Sequence, residues 1–343
     1  MLSVFRVDAS LQIGTGHVMR CLTLADELRR HGASARFICR GEPGNLNALI
    51  QSRGYEVAVL ASQEEELPGC AALLTGNRPD WIIVDHYALG ADWERAARHW
   101  TGKLLVIDDL ANRNHDCDVL LDQNLYDGVE QRYAALVPRN CRQLIGPRFA
   151  LLRPEFAEFR RKIARTAQPV SRLLINFGGA DSSNETARFV ELVRGQLSAS
   201  VAIDVVVGPA NPHAAEIRAL AEGQRNIAVH AGTDRMAELM SLADAFVGAG
   251  GSTTWERFCL GLPSLVVAVA ENQIPTAQYL GKLGAIDYIG PASQLSADAI
   301  RTSLSRFLMD HDRRSKMAEL GMQLVDGHGA QRVVECLLNI SRA

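Results

Sequence analysis

What this 343-residue sequence lacks narrows its class first. No stretch approaches the roughly 18 consecutive apolar residues of a membrane-spanning helix, and the opening MLSVFRVDAS reaches Arg6 and Asp8 before a secretory apolar segment could form. The seven cysteines (Cys21, Cys39, Cys70, Cys117, Cys141, Cys259, Cys336) include no C-x-x-C pair, which suits reduced thiols in packed interiors. A basic excess is missing too. Residues 1–150 hold 16 Arg plus Lys against 19 Asp plus Glu, and the chain carries a formal charge of -3. Neither nucleic acid nor an anionic membrane surface is therefore an expected partner. With no repeats and no low-complexity tract, the chain reads as a cytoplasmic globular protein, a monomer by default.

What is present is an apolar fraction of 47% beside 22% charged residues, enough for packed cores, and a length that suits two domains of roughly 150 residues. Short β-rich runs alternate with amphipathic stretches throughout, the pattern of an α/β protein with parallel sheets. Runs 3–8, 34–40, 81–85, 103–109 and 117–122 read as strands of a first sheet, and runs 171–177, 201–207, 226–231, 244–249 and 263–270 as a second. Between them, residues 145–170 carry GPRF, Pro154, the charged run EFRRKIAR and TAQPV, a linker signature. Expected domains are thus 1–150 and 165–325. The helical pattern near the end breaks at DGHGA, leaving a last helix in 326–343. Two open sheets joined by one linker are expected to leave a cleft, with ligands outside the carboxyl ends of the strands.

The segment QIGTGHVMR (12–20) follows the first strand, and Val18, Cys21, Leu22, Ala25 and Leu28 then recur at helical spacing. Gly14 and Gly16, with Thr15, allow a tight bend that brings peptide N–H groups near a ligand, and a helix start favours an anion there. His17 falls in the first helical turn, which disfavours imidazolium and suits a neutral ring acting as a base. A capping or packing role is the alternative. Asp85, His86 and Tyr87, and then Asp108 and Asp109, stand at other strand ends, where a carboxylate either faces a ligand or caps the next helix.

In the second half, INFGGADSSN (175–184) offers Gly178 and Gly179 before Asp181, either a phosphate loop or a plain N-cap. GAGGSTTWE (248–256) is more specific. Gly250, Gly251, Ser252 and Thr253 combine loose backbone, hydroxyl donors and a helix start, which together can neutralise a diphosphate. Glu256, one turn in, could accept both ribose hydroxyls or serve as a dipole partner. Asn272 and Gln273 in AENQ supply amide donors and acceptors suited to sugar hydroxyl or acetamido groups. No H-x-x-x-H, D-x-D or Cys/His pattern occurs in these loops, so no metal and no cofactor is expected.

Taken in order, RVDASLQIGTGHVMRCLTLA, DHY (85–87), GPRFALLRPEF (146–156), INFGGAD, GAGGSTTWE and AENQ resemble the UDP-sugar hydrolases of pseudaminic acid biosynthesis across nearly the whole chain. The resemblance implies a GT-B-like fold, similar to the UDP-N-acetylglucosamine transferase of peptidoglycan synthesis: two Rossmann-like domains, with a C-terminal helix returning to the first. It implies hydrolysis of UDP-2,4-diacetamido-2,4,6-trideoxy-β-L-altropyranose by C1–O cleavage with inversion. By resemblance His17 is the catalytic base and Asn272 lies near the substrate; the reading of strand ends and turns adds Gly14, Thr15, Gly16, Asp85, His86, Tyr87 and Gln273 on the sugar side. UDP would lie on Gly178, Gly179, Gly250, Gly251, Ser252, Thr253 and Glu256, and uracil near Ala231, Gly232 and Met236. The alternatives are a GT-B glycosyltransferase using a UDP-amino-sugar donor, a UDP-sugar 2-epimerase, whose extra acid and base carboxylates are not identifiable here, and a non-catalytic UDP-sugar-binding module.

Overall fold

The apolar runs become strands of two wholly parallel sheets in the computed structural model, which describes residues 1–343 apart from 62–64, 75, 77, 164, 166, 167, 210 and 343 and the side chain of residue 130. The first sheet contains β1 (Leu2–Val7), β2 (Ser34–Arg40), β3 (Glu56–Leu60), β4 (Trp81–Asp85), β5 (Lys103–Ile107), β6 (Val119–Asp122) and β7 (Arg142–Ile145), in the order β3-β2-β1-β4-β5-β6-β7. The second contains β8 (Arg172–Asn176), β9 (Ala202–Val207), β10 (Ile227–Ala231), β11 (Ala245–Ala249), β12 (Ser264–Ala268) and β13 (Asp287–Pro291), in the order β10-β9-β8-β11-β12-β13. Central strands such as β4, β11 and β12 are buried at every residue, as two-sided coverage by crossover helices demands.

β3, β7 and β13 have no counterpart among the runs picked out from sequence. All three are edge strands, and each leaves most of its residues partly or fully exposed. RQLI and DYIGP therefore carry no long apolar run, EVAVL carries only the short VAVL, and β13 contains Gly290 and Pro291, which read as a turn.

The chain divides into two compact units, Met1–Leu152 with His328–Ala343, and Arg153–Gly327. The divide falls inside the segment read as a linker, and the helix Pro154–Arg160 belongs to the second unit. Residues 164, 166 and 167 of that segment lie outside the described residues. The last helix, Gly329–Arg342, returns to the first unit, where Ala330, Val333, Val334 and Leu337 join the core beside Leu24, Ala25 and Leu28 of the helix Gly16–Arg30. That i, i+3, i+4, i+7 spacing is one helical face. Its first residue has to be glycine, because a Cβ on Gly329 would stand 2.2 Å from the Ala150 carbonyl oxygen.

Each sheet has one place where the strand order reverses, between β1 and β4 in the first and between β8 and β11 in the second. Crossovers leave in opposite directions there, so the loops after those strands splay apart and open a crevice at the carboxyl ends. The glycine turn with His17 follows β1, and Asp85-His86-Tyr87 ends β4. INFGGAD ends β8, and GAGGST ends β11.

Candidate active site

In the first unit, parallel pairing of β1 with β4 sets Val7 opposite Asp85, and the helix that starts at Gly16 leans its first turn over the end of β4. His17 Nδ1 then lies 2.6 Å from Asp85 Oδ1. Two acceptors that close would repel, so the proton sits on Nδ1, which donates to the carboxylate. Arg20, one turn on, forks onto the same carboxylate, Nε to Oδ2 and Nη2 to Oδ1, both at 2.6 Å. Burial alone would push the Asp85 carboxyl up, but Arg20 first and then His17 hold it well below the usual range. Asp85 is therefore ionised, and it fixes one tautomer of His17. Nε2 makes no hydrogen bond among the described residues. The ring is enclosed, 8% exposed, with Tyr87 edge-on at 4.7 Å between centroids. Arg20 also reaches Asp109 at 3.3 Å, and burial with Asp109 alongside pushes the Tyr87 hydroxyl up.

The glycine turn spends part of its backbone on itself. Gly14, at φ 81°, donates its N–H to the Ser10 carbonyl, and the Ser10 hydroxyl accepts from Gln12 and Ile13. Thr15 makes no side-chain cap, so the amides opening the 15-residue helix are not taken by a capping side chain. Two residues differ from their expected roles. Asp85 is buried with both oxygens committed to His17 and Arg20, so it orients the histidine rather than contacting a sugar. His86 accepts from the Ala88 N–H at Nδ1 and donates from Nε2 to Asp8, leaving no ring nitrogen for a substrate or a proton transfer.

In the second unit the two glycine loops differ sharply. Asp181 accepts the Glu185 and Thr186 N–H groups, one on each oxygen, and Gly178 N–H is held by Asn176. A carboxylate thus occupies the start of the helix Glu185–Arg194 and would repel a phosphate, with Asp181 capping the amides from three residues before the N-cap position, Asn184. Gly250, Gly251 and Ser252 carry no such group. Ser252 makes no side-chain cap on the helix Thr253–Cys259, and Gln273 Nε2 stands 3.8 Å from the place of a Cβ on Gly251 while its Oε1 accepts from Val269 N–H. Gln273 accordingly belongs to the glycine loop, and exposed Asn272 does not share its contacts. Burial pushes the Glu256 carboxyl up to about 7, against the pull of Arg153 and Arg257. Met236 opens the helix Met236–Leu242, partly exposed, but the Gly232 N–H is spent on the Val207 carbonyl and is not available to a base.

Sequence reasoning missed Arg20, Asp109 as its partner, and Arg257. Arg20 could have been found, since the i, i+3 spacing of His17 and Arg20 puts both on one helix face. Among the described residues no group of three or more His, Cys, Asp or Glu is placed to hold a metal ion, and no helix is long and apolar enough to cross a membrane.

Residues 173–328, nearly all of the second unit, match the glycosyltransferase family 28 C-terminal domain. Over 285 residues, 83% of this chain and 97% of the relative, the sequence is 28% identical to the UDP-2,4-diacetamido-2,4,6-trideoxy-beta-L-altropyranose hydrolase of Campylobacter jejuni. It is 24% identical over 343 residues to the spore coat polysaccharide biosynthesis protein SpsG of Bacillus subtilis, covering 97% of this chain and 96% of that protein. Among solved structures, MurG of Acinetobacter baumannii superposes with a TM-score of 0.68 over 98% of this chain and 99% of its own, at 16% identity, a likeness of fold alone. The chain is thus a two-unit α/β protein of GT-B fold, with a second unit similar to the glycosyltransferase family 28 C-terminal domain and a sequence that resembles the UDP-diacetamido-sugar hydrolases.

Proposed function

We propose that the protein hydrolyses UDP-2,4-diacetamido-2,4,6-trideoxy-β-L-altropyranose to UDP and the free sugar, without a metal. The carrying observation is the His17 ring, whose Nδ1–H is committed to an ionised Asp85 and whose Nε2 is left as an acceptor. His17 Nε2 takes a proton from water as the water oxygen bonds to C1. The C1–O bond breaks on the opposite face, its electron pair passing to the β-phosphate oxygen of UDP, so the anomeric centre inverts. Charge growing on UDP is met by the Gly250–Thr253 loop, whose amides and hydroxyls are oriented before the reaction. Glu256 accepts the ribose hydroxyls.

The similarity to the Campylobacter hydrolase, 28% over most of the chain, supports this substrate. The glycosyltransferase family 28 match favours a second reading, transfer of a UDP-amino sugar to an acceptor. Enzyme incubated with the UDP-sugar alone separates them: a hydrolase releases UDP and sugar of inverted configuration in a proton NMR time course, and a strict transferase releases none. Silence with no acceptor present would overturn the hydrolase reading.

A further inference from the structure

Arg257 is a buried charge of the second unit with no carboxylate partner among the described residues. It lies in the helix Thr253–Cys259, fully buried, with its guanidinium 4.0 Å from the centre of the Phe246 ring. Its hydrogen bonds go to neutral acceptors only: Nη1 to the Ala249 carbonyl and the Thr253 hydroxyl, both at 3.2 Å, and Nη2 to the Thr254 hydroxyl at 2.9 Å. Nε is buried with no acceptor, and no carboxylate among the described residues forms an ion pair with the group. Burial pulls it down to about 9, with only Glu256 opposing. A buried cation without a counter-ion is expensive to keep, and here it sits beneath the turn Gly250-Gly251-Ser252.

We propose that Arg257 is the positioning residue and built-in counter-charge of the diphosphate subsite, so that the anion bound on the glycine loop completes a pair the protein leaves open. This rests on reading the loop as the UDP site. The helix behind the loop has seven residues, under two turns, so its dipole is a minor source of positive potential. The guanidinium supplies a full charge instead. It also fixes hydrogen-bond polarity. Arginine has no acceptor, so the Thr253 and Thr254 hydroxyls must accept from it, and the single proton of the partly exposed Thr253 is left to donate outward.

The test compares UDP with uridine by calorimetry on wild type, Arg257→Met and Arg257→Lys, alongside thermal unfolding. Uridine makes no use of the diphosphate subsite. Wild type should prefer UDP clearly; R257M should lose about tenfold of that UDP-over-uridine ratio, in which any change shared through Glu256 cancels, and R257K should keep most of it. R257M should also unfold at an equal or higher temperature, because an apolar side chain of similar volume removes an uncompensated charge. A purely structural arginine would lower stability and move both ligands together. Should R257M not fold, the Nε–H signal of Arg257 in 15N-labelled wild type, assigned through R257K, must shift with UDP and stay put with uridine. A wild type that binds UDP no better than uridine overturns the reading of the loop and this inference with it. Unchanged discrimination in folded R257M, or an Nε–H signal indifferent to UDP, overturns the inference alone.

Discussion

Replacing Asp85 with asparagine is the sharpest perturbation of the first unit, because it removes one charge and almost no volume. Three short hydrogen bonds end on this carboxylate, one from His17 and two from Arg20. Asparagine has one acceptor oxygen, and when that oxygen takes the Oδ2 side, where Arg20 Nε donates, the Oδ1 side carries the amide nitrogen. The amide N–H₂ then faces His17 Nδ1. Two donors cannot share that contact, so the ring moves its proton to Nε2 and accepts from the amide at Nδ1. Nε2 is then no longer a base. General-base catalysis contributes about 10²–10⁴-fold, so kcat of Asp85→Asn should fall by that factor, about 3–5 kcal/mol of barrier. A stability cost accompanies it. Removing the carboxylate strands Arg20, for which about 3–5 kcal/mol is usual, moderated here by the remaining contact to Asp109. The assay is UDP release at saturating UDP-sugar from pH 6 to 9, with circular dichroism on the same samples and imidazole 15N shifts to read the tautomer. A folded Asp85→Asn variant that keeps kcat within threefold of wild type, or keeps the Nδ1–H tautomer, refutes the reasoning.

Three further outcomes are expected. His17→Asn should lose about 10²–10⁴-fold in kcat while UDP affinity by calorimetry stays within a few-fold, since the proposed UDP contacts belong to the second unit; retained turnover would assign the base elsewhere. Uridine affinity should rise as pH passes upward through about 7, where Glu256 ionises, and Glu256→Gln should flatten that slope; uridine is the ligand of choice because no phosphate titrates with it. His115, buried between Glu94 and Asp108, is raised to about 9, burial opposing and the two carboxylates prevailing. A raised folded value means its stabilisation is fully present below about 6.5 and is lost as pH rises through about 9; the unfolding temperature should therefore decline from pH 7 to 9.5, and His115→Gln should remove most of that decline.

The interior strands were legible because a parallel sheet covered on both faces leaves a signature in single residues: WIIVD and AFVGA are apolar almost throughout and buried at every position. The edges were not, because EVAVL and RQLI bury little of their own surface, so burial did not select an apolar residue at every position. The site divided in the same way. His17 and the loop 248–256 stood out as glycine, hydroxyl and histidine at strand-to-helix junctions. The loop 175–184 read as either a phosphate loop or a plain helix cap until the structure placed Asp181 on the helix amides.

By itself the sequence determined two α/β units, a histidine at a helix start and a glycine-hydroxyl loop, since these follow from local periodicity and from which residues tolerate a tight turn. Pairings between residues far apart in the chain were decided only in three dimensions. Asp85 meets His17 because β4 lies beside β1, which spends both carboxylate oxygens inward, and His86 is committed to Asp8 through that same adjacency. Arg257 has no carboxylate partner among the described residues because β11 and its helix bury it against Phe246 and a carbonyl rather than against an acid. A side chain's chemistry depends on which donors and acceptors surround it, and for these residues the sheet order sets those neighbours.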